Sequence, residues 1–164
     1  MSVAKPGQLT HLDREGRARM VDVGGKAATA REAVAEGRVR MTRETLARAL
    51  AGDTKKGSVR GAAEFAGIMA AKRTAELIPL CHQIPLTSVT VEVSADEAHS
   101  ALVVTARAKT NAETGVEMEA MNAAAIACLT IYDMLKASDR AMVIESIMLL
   151  EKHGGASGDY VRKR

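Results

Sequence analysis

The stretch from Thr114 to Ala137, TGVEMEAMNAAAIACLTIYDMLKA, constrains this chain more than any other. Thr114 followed three residues later by Glu117 predicts a capping box, the hydroxyl taking a first-turn N–H and the carboxylate returning to the cap. Met121, Ala125, Cys128, Tyr132 and Leu135 then recur at helical spacing, an apolar stripe that faces a core. At about 100° per residue, Glu119 and Asp133 fall about 40° apart around the axis and Lys136 roughly 60° further on. Asn122 shares that side. The filling between them is Ala123, Ala124, Ile126, Ala127, Thr130 and Ile131. Such a helix is expected to be buried nearly all round, and charges on it line a cleft or are paired. A solvated outer face is the competing reading.

A chain of 164 residues supports one domain with a sizeable core. Aromatic residues make up only 2%, so each buried side chain contributes little area, and other subunits are expected to complete the core. The net charge of +3 favours an anionic ligand without demanding nucleic acid. Stacking platforms for single strands need aromatics that are scarce here. Cys81 and Cys128 form no disulfide framework and read as reduced thiols. The first ten residues lack the apolar run of a signal peptide, and no window has the apolar length of a membrane span. A soluble cytoplasmic protein with neither a nucleic-acid nor a membrane partner is expected.

Residues 1–18 read as a flexible arm, 19–153 as a single domain and 154–164 as a glycine-rich, basic tail. Arg19 to Val23 predicts a short strand broken by Gly24-Gly25. Arg31 lies in a segment without a clear pattern and by itself is a surface arginine. Arg38 to Met41 predicts a strand, and Thr42 caps a helix from Arg43 to Gly52. Lys55 and Lys56 follow in a loop before a helix over 58–75, with Val59, Ala62, Ala63, Ala66, Met69 and Ala70 inward. A lysine at a helix start stands where phosphates bind; a solvated loop is the alternative. Lys72 and Arg73 can be dipole-compensating surface charges.

Leu77 to Leu86, LIPLCHQIPL, is interrupted by Pro79 and Pro85 and predicts a rigid extended connector. His82 in its middle is either a satisfied buried histidine or a substrate contact. A zinc site would need recurrent donor spacing that the chain lacks, so no metal site is predicted. TSVTVEVSA and ALVVTARAKT alternate with period two and predict an antiparallel hairpin. Met142 to Leu150 predicts a last strand, and the segment 152–159 either wraps an anion or is a loose end. The order is β-α-β-β-α-β with an inserted helix, which predicts an α+β, ferredoxin-like antiparallel sheet with helices on one face.

The motifs MVDV at 20–23, KG at 56–57, AAKRT at 70–74, LIPLCH at 77–82, TGVEMEA at 114–120 and LTIYDMLKA at 129–137 resemble those of the MoaC family. That is the cyclic pyranopterin monophosphate synthase family of molybdenum-cofactor biosynthesis. The resemblance spans about residues 9–159. It implies a hexamer built as a trimer of dimers, with the active site at a dimer interface. It also implies a lyase reaction: (8S)-3',8-cyclo-7,8-dihydroguanosine 5'-triphosphate rearranges to cyclic pyranopterin monophosphate and releases diphosphate. Carried over by motif, Asp133, Lys136 and Lys56 are the catalytic group. Leu80, Cys81, His82, Met118 and Glu119 contact substrate, with Glu117, Lys72, Arg31 and Lys152 as further contacts. Glu117 can instead serve the cap. The chain departs from the family pattern at Ala156, where a basic residue is common, and at Gln83, where proline often stands.

Ring opening, pterin closure and cyclic phosphate formation are proton transfers plus substitution at phosphorus, which require acids and bases rather than a redox centre. Clustered, partly desolvated lysines would have lowered pKa values. No cofactor is required by the sequence, and Mg²⁺ can accompany the triphosphate. Glu119 and Asp133 stand about 21 Å apart along the helix. Either an extended nucleotide spans that distance or two subunits bring opposite helix ends together. A non-catalytic ferredoxin-like nucleotide-binding or regulatory module is the alternative function; it would keep the basic groups and not need Asp133.

Overall fold

The computed structural model describes residues 15–51 and 57–163. Its strands are β1 (Thr29–Arg40), β2 (Leu86–Asp96), β3 (Ala101–Ala112), β4 (Val143–His153) and β5 (Tyr160–Val161). Its helices are α1 (Arg43–Ala51), α2 (Val59–Ala71), α3 (Thr74–Leu77) and α4 (Glu117–Leu135). One antiparallel sheet runs in the order β2-β3-β1-β4-β5. Each crossover skips one strand, so the two interleave, which is the ferredoxin-like α+β arrangement expected from the element order.

Period-two alternation decides which face of the sheet the helices cover. Ala33, Ala35 and Val39 of β1 and Leu102, Val104, Ala106 and Ala108 of β3 are buried under α2 and α4. Polar residues alternate with them, and on β1 they form a network of ion pairs. Arg38 meets Asp96 at 2.8 Å and Glu145 at 3.0 Å, while Glu32 pairs with Arg107 and Lys109. The core is made of small side chains, and its tightest contacts need glycine. A Cβ on Gly37 would stand 2.5 Å from Cys128 Sγ, and one on Gly67 would stand 2.9 Å from the Ala123 carbonyl of α4. Small side chains and glycine at these two points let the helices approach sheet and neighbour closely. The one phenylalanine, Phe65, is 67% exposed on α2.

Several expectations are corrected by tertiary contacts. Arg19 to Val23 forms no strand, whereas the segment around Arg31 belongs to β1, which runs from Thr29 and not from Arg38. The helix expected over 58–75 stops at Ala71, and the Thr74 hydroxyl donates to the Ala70 and Ala71 carbonyls where α3 begins. Met69 faces outward. Thr114 is no cap: α4 starts at Glu117 with Val116 before it and no side-chain cap bond. The Glu117 carboxylate folds over Gly115 and stands 3.6 Å from Lys152 Nζ, which draws it away from the backbone. The buried stripe of α4 is Ala120, Ala123, Ala124, Ala127, Cys128, Ile131 and Leu135, so Met121 and Tyr132 only flank it. The tail is not loose, since β5 pairs with β4 and the Asp159 carboxylate accepts the Gly154 N–H at 3.1 Å. Thr42 caps α1 as expected, while Ser58, expected inside the next helix, is the cap of α2.

Candidate active site

The connector between α3 and β2 is not extended throughout as the sequence predicts: it opens with a turn, the Cys81 N–H donating to the Ile78 carbonyl at 3.0 Å, and stays irregular up to Pro85 because the two prolines forbid regular structure. Thr110 pins its end by donating to the Pro85 carbonyl at 2.6 Å. Against it lie the first turn of α4 and the irregular segment before β1. Together they enclose a cavity of about 350 Å³. Leu80, Cys81 and His82 line one wall, Thr114, Gly115, Glu117, Met118 and Glu119 a second, and Val21, Val23 and Lys26 a third. Six of the residues that motif resemblance marks as substrate contacts thus meet around one space.

Glu119 is only 4% exposed, and burial pushes its carboxyl up to about 7, with the Glu117 charge adding and its own backbone N–H opposing. A carboxyl of that kind can donate or accept a hydrogen bond near neutrality. Burial, and then the Glu119 charge, also raises the Cys81 thiol, so this cysteine is not poised as a thiolate. Cys128 is buried against Gly37 and pushed up to about 12 by burial, a packing thiol. His82 Nε2 lies 2.7 Å from the Val21 carbonyl. A carbonyl cannot donate, so Nε2 carries the proton and a neutral ring offers Nδ1 as acceptor.

The other carried-over residues are distributed differently. Lys152 has a side chain 18% exposed and connects the cavity wall to the tail, through Glu117 and through a hydrogen bond to Ser157 Oγ. Arg31 gives its donors to the Ala112 and Glu113 carbonyls at 2.9 and 3.0 Å, a tie at the end of β3. Gly155 packs on that guanidinium. Lys72 is exposed at the end of α2 and does not line the cavity. Asn122 donates to the Ala70 carbonyl and Thr74 Oγ1, locking α4 to α2. Lys56 lies outside the described residues.

Asp133 and Lys136 pair at 2.7 Å, with side chains 55% and 53% exposed, at the end of α4 remote from the cavity. The Asp133 partner raises the Lys136 pKa, the reverse of the lowering expected from clustered lysines. A single chain therefore does not bring Asp133 and Glu119 together. Leu129, one turn before Asp133 on the same side, is 53% exposed. With Phe65 and Met69 of α2 it leaves an apolar outer face on the helix pair. Nearly all-round burial of α4 is thus not achieved within the single chain.

Among the described residues no three His, Cys, Asp or Glu side chains converge as metal ligands. No helix among them is long and apolar enough to cross a membrane. The charged cavity residue that sequence reasoning missed is Lys26, on the wall formed by the segment before β1. Its one signal was position, three residues after the MVDV motif and behind the Gly24-Gly25 turn.

A family model described as MoaC family matches residues 20–155. The chain is 59% identical over 154 residues, 94% of its length, to a protein of Brucella ovis named cyclic pyranopterin monophosphate synthase, of which 93% is covered. Proteins of the same name from Brucella melitensis and Brucella abortus match at the same identity and coverage.

Proposed function

Since this chain belongs to the MoaC family, we propose that it is a cyclic pyranopterin monophosphate synthase acting in molybdenum-cofactor biosynthesis. It takes the cyclised dihydroguanosine triphosphate as substrate and acts as a lyase that releases diphosphate. The observation that carries this reading is the shared cavity. A connector of LIPLCH and a helix start of GVEMEA, far apart in sequence, face one another around a space fit for a fused heterocycle. In the proposed mechanism Glu119, neutral or ionised near pH 7, holds the polar edge of the ring system, with Cys81, Met118 and Leu80 excluding water. Lys26 and Lys152 supply positive charge toward the phosphates, and Lys152 is steadied by Glu117.

Asp133, Lys136 and Lys56 are the proton-transfer group. Retention of one phosphate with loss of diphosphate requires attack of a substrate hydroxyl at the α-phosphorus, with a base taking the hydroxyl proton and cations stabilising the leaving group. Mg²⁺ travelling with the phosphates would draw its ligands chiefly from them and from water. Because Asp133 lies about 21 Å along α4 from Glu119, the site is completed by a second copy. The exposed Leu129, one turn before Asp133, and the exposed Phe65 and Met69 on α2 favour burial of the outer face of these helices in such an assembly, and a hexamer built from three dimers in the cytoplasm is the proposed form.

Incubating the protein with the cyclised triphosphate should release diphosphate and yield an oxidisable, fluorescent pterin. Asp133→Ala and Glu119→Ala chains should each be inactive, and mixing them should recover part of the activity through hybrid dimers. Substrate binding without diphosphate would favour a non-catalytic nucleotide-binding module. Active wild type with no recovery on mixing would remove the shared site alone.

A further inference from the structure

The cavity's third wall is held differently from the other two. Residues 19–27 form no regular element, and within them only Val21 and Val23 are even partly buried. Their own bonds are local: the Lys26 N–H to the Val23 carbonyl at 3.0 Å and the Gly24 N–H to Asp22 at 3.0 Å. Among the described residues, the hydrogen bond that carries this segment across the chain is the 2.7 Å bond from His82 Nε2 to the Val21 carbonyl, over 61 residues of sequence. His82 itself stands on a fixed post, between two prolines and a connector anchored by Thr110.

We propose that His82 is a positioning residue whose Nε2–H latches the 19–27 segment over the cavity, so that this segment is a strap that opens to admit ligand and closes to bring Lys26 against it. The geometry fits this role better than proton transfer. A carbonyl acceptor occupies Nε2 in the neutral ring and in the imidazolium alike, so the latch holds in both charge states and only Nδ1 is left to meet a ligand. Asp22 and Lys26 form one tight turn with Val23, so fixing Val21 fixes the register of Lys26 one turn later. That the ligand is the nucleotide-derived substrate rests on the function proposed above; the latch itself does not.

The test compares His82→Gln with His82→Asn in the full-length protein. Gln carries an amide N–H close to the position of Nε2, whereas Asn is one methylene short of Val21. Trypsin can cut within the strap after Arg19 and after Lys26, and the products can be followed by mass spectrometry without any substrate. Loss of one net hydrogen bond should raise the cleavage rate of the Asn variant about fivefold. The Gln variant should be cut at the wild-type rate. Equal cleavage of all three proteins, or equally fast cleavage of both variants, would overturn the latch. With substrate, the Gln variant should retain both limbs of the wild-type pH profile of kcat/KM. Loss of a limb would instead identify His82 as an acid or base and overturn the positioning role. An inactive wild type would sink the proposed function, while the cleavage comparison would still decide the strap.

Discussion

Replacing Glu119 with Gln should change how stability depends on pH, by an amount that follows from burial. The carboxyl is 4% exposed and titrates at about 7 in the folded chain against 4.5 for a free side chain. Below pH 4.5 both states hold the proton and burial costs the carboxyl no charge. Between 4.5 and 7 the unfolded chain gives up its proton and the folded chain keeps it. Stability therefore falls as pH rises, by about 1.4 kcal/mol per pH unit. Above pH 7 both states are ionised, and the loss levels off at about 3 kcal/mol. Gln preserves the shape and has no proton to lose. The variant should match the wild type near pH 4.5 and exceed it at pH 8 by about 3 kcal/mol, or about 6–12 °C in Tm for a chain of this size. Other carboxylates shift both proteins alike and cancel in the difference. Urea or thermal denaturation of the pair at several pH values measures it. A difference that stays constant from pH 5 to 8 would refute the buried, proton-holding carboxyl.

Gly37→Ala should destabilise the protein by about 1–3 kcal/mol through overpacking, since the new Cβ would stand 2.5 Å from Cys128 Sγ and 3.0 Å from Ile147 Cδ1. Adding Cys128→Ala should make the pair less costly than the sum of the two, a coupling that denaturation of all four proteins reads. The tail loop should be tightest at mildly acidic pH. Asp159 is lowered from 3.8, first by the Gly154 N–H and then by His153, so its contribution is present above 3.8 and is lost as pH falls through the lower folded value. His153 is raised from 6.5, first by Asp159 and then by Glu151, so its contribution is complete below 6.5 and is lost as pH rises through the higher folded value. Hydrogen-exchange protection of the Gly154 amide should peak between those limits and lose its dependence in Asp159→Asn.

How much was legible depends on how local the signal is. Alternation in β2 and β3, the Thr42 cap and the break in regular structure between Pro79 and Pro85 are set by near neighbours, and the fold read from them holds. The start of β1 was missed because TAREAVAEG is as compatible with helix as with strand. Pairing on both sides, with β3 and with β4, settles it as a strand. The Thr114 box failed for a similar reason. Its pattern is local, but Lys152, 35 residues beyond Glu117, takes the carboxylate.

The residue types of the candidate site and their division between the two ends of α4 are written in the chain, because helix pitch alone separates Glu119 from Asp133. Which of them share a cavity was decided only by folding. Burial raises Glu119, a backbone carbonyl takes His82, Lys26 arrives on an unpatterned strap, and Arg31 turns to carbonyls. Each depends on partners dozens of residues away, and neither desolvation nor the destination of a hydrogen bond exists until those partners are brought within a few ångströms.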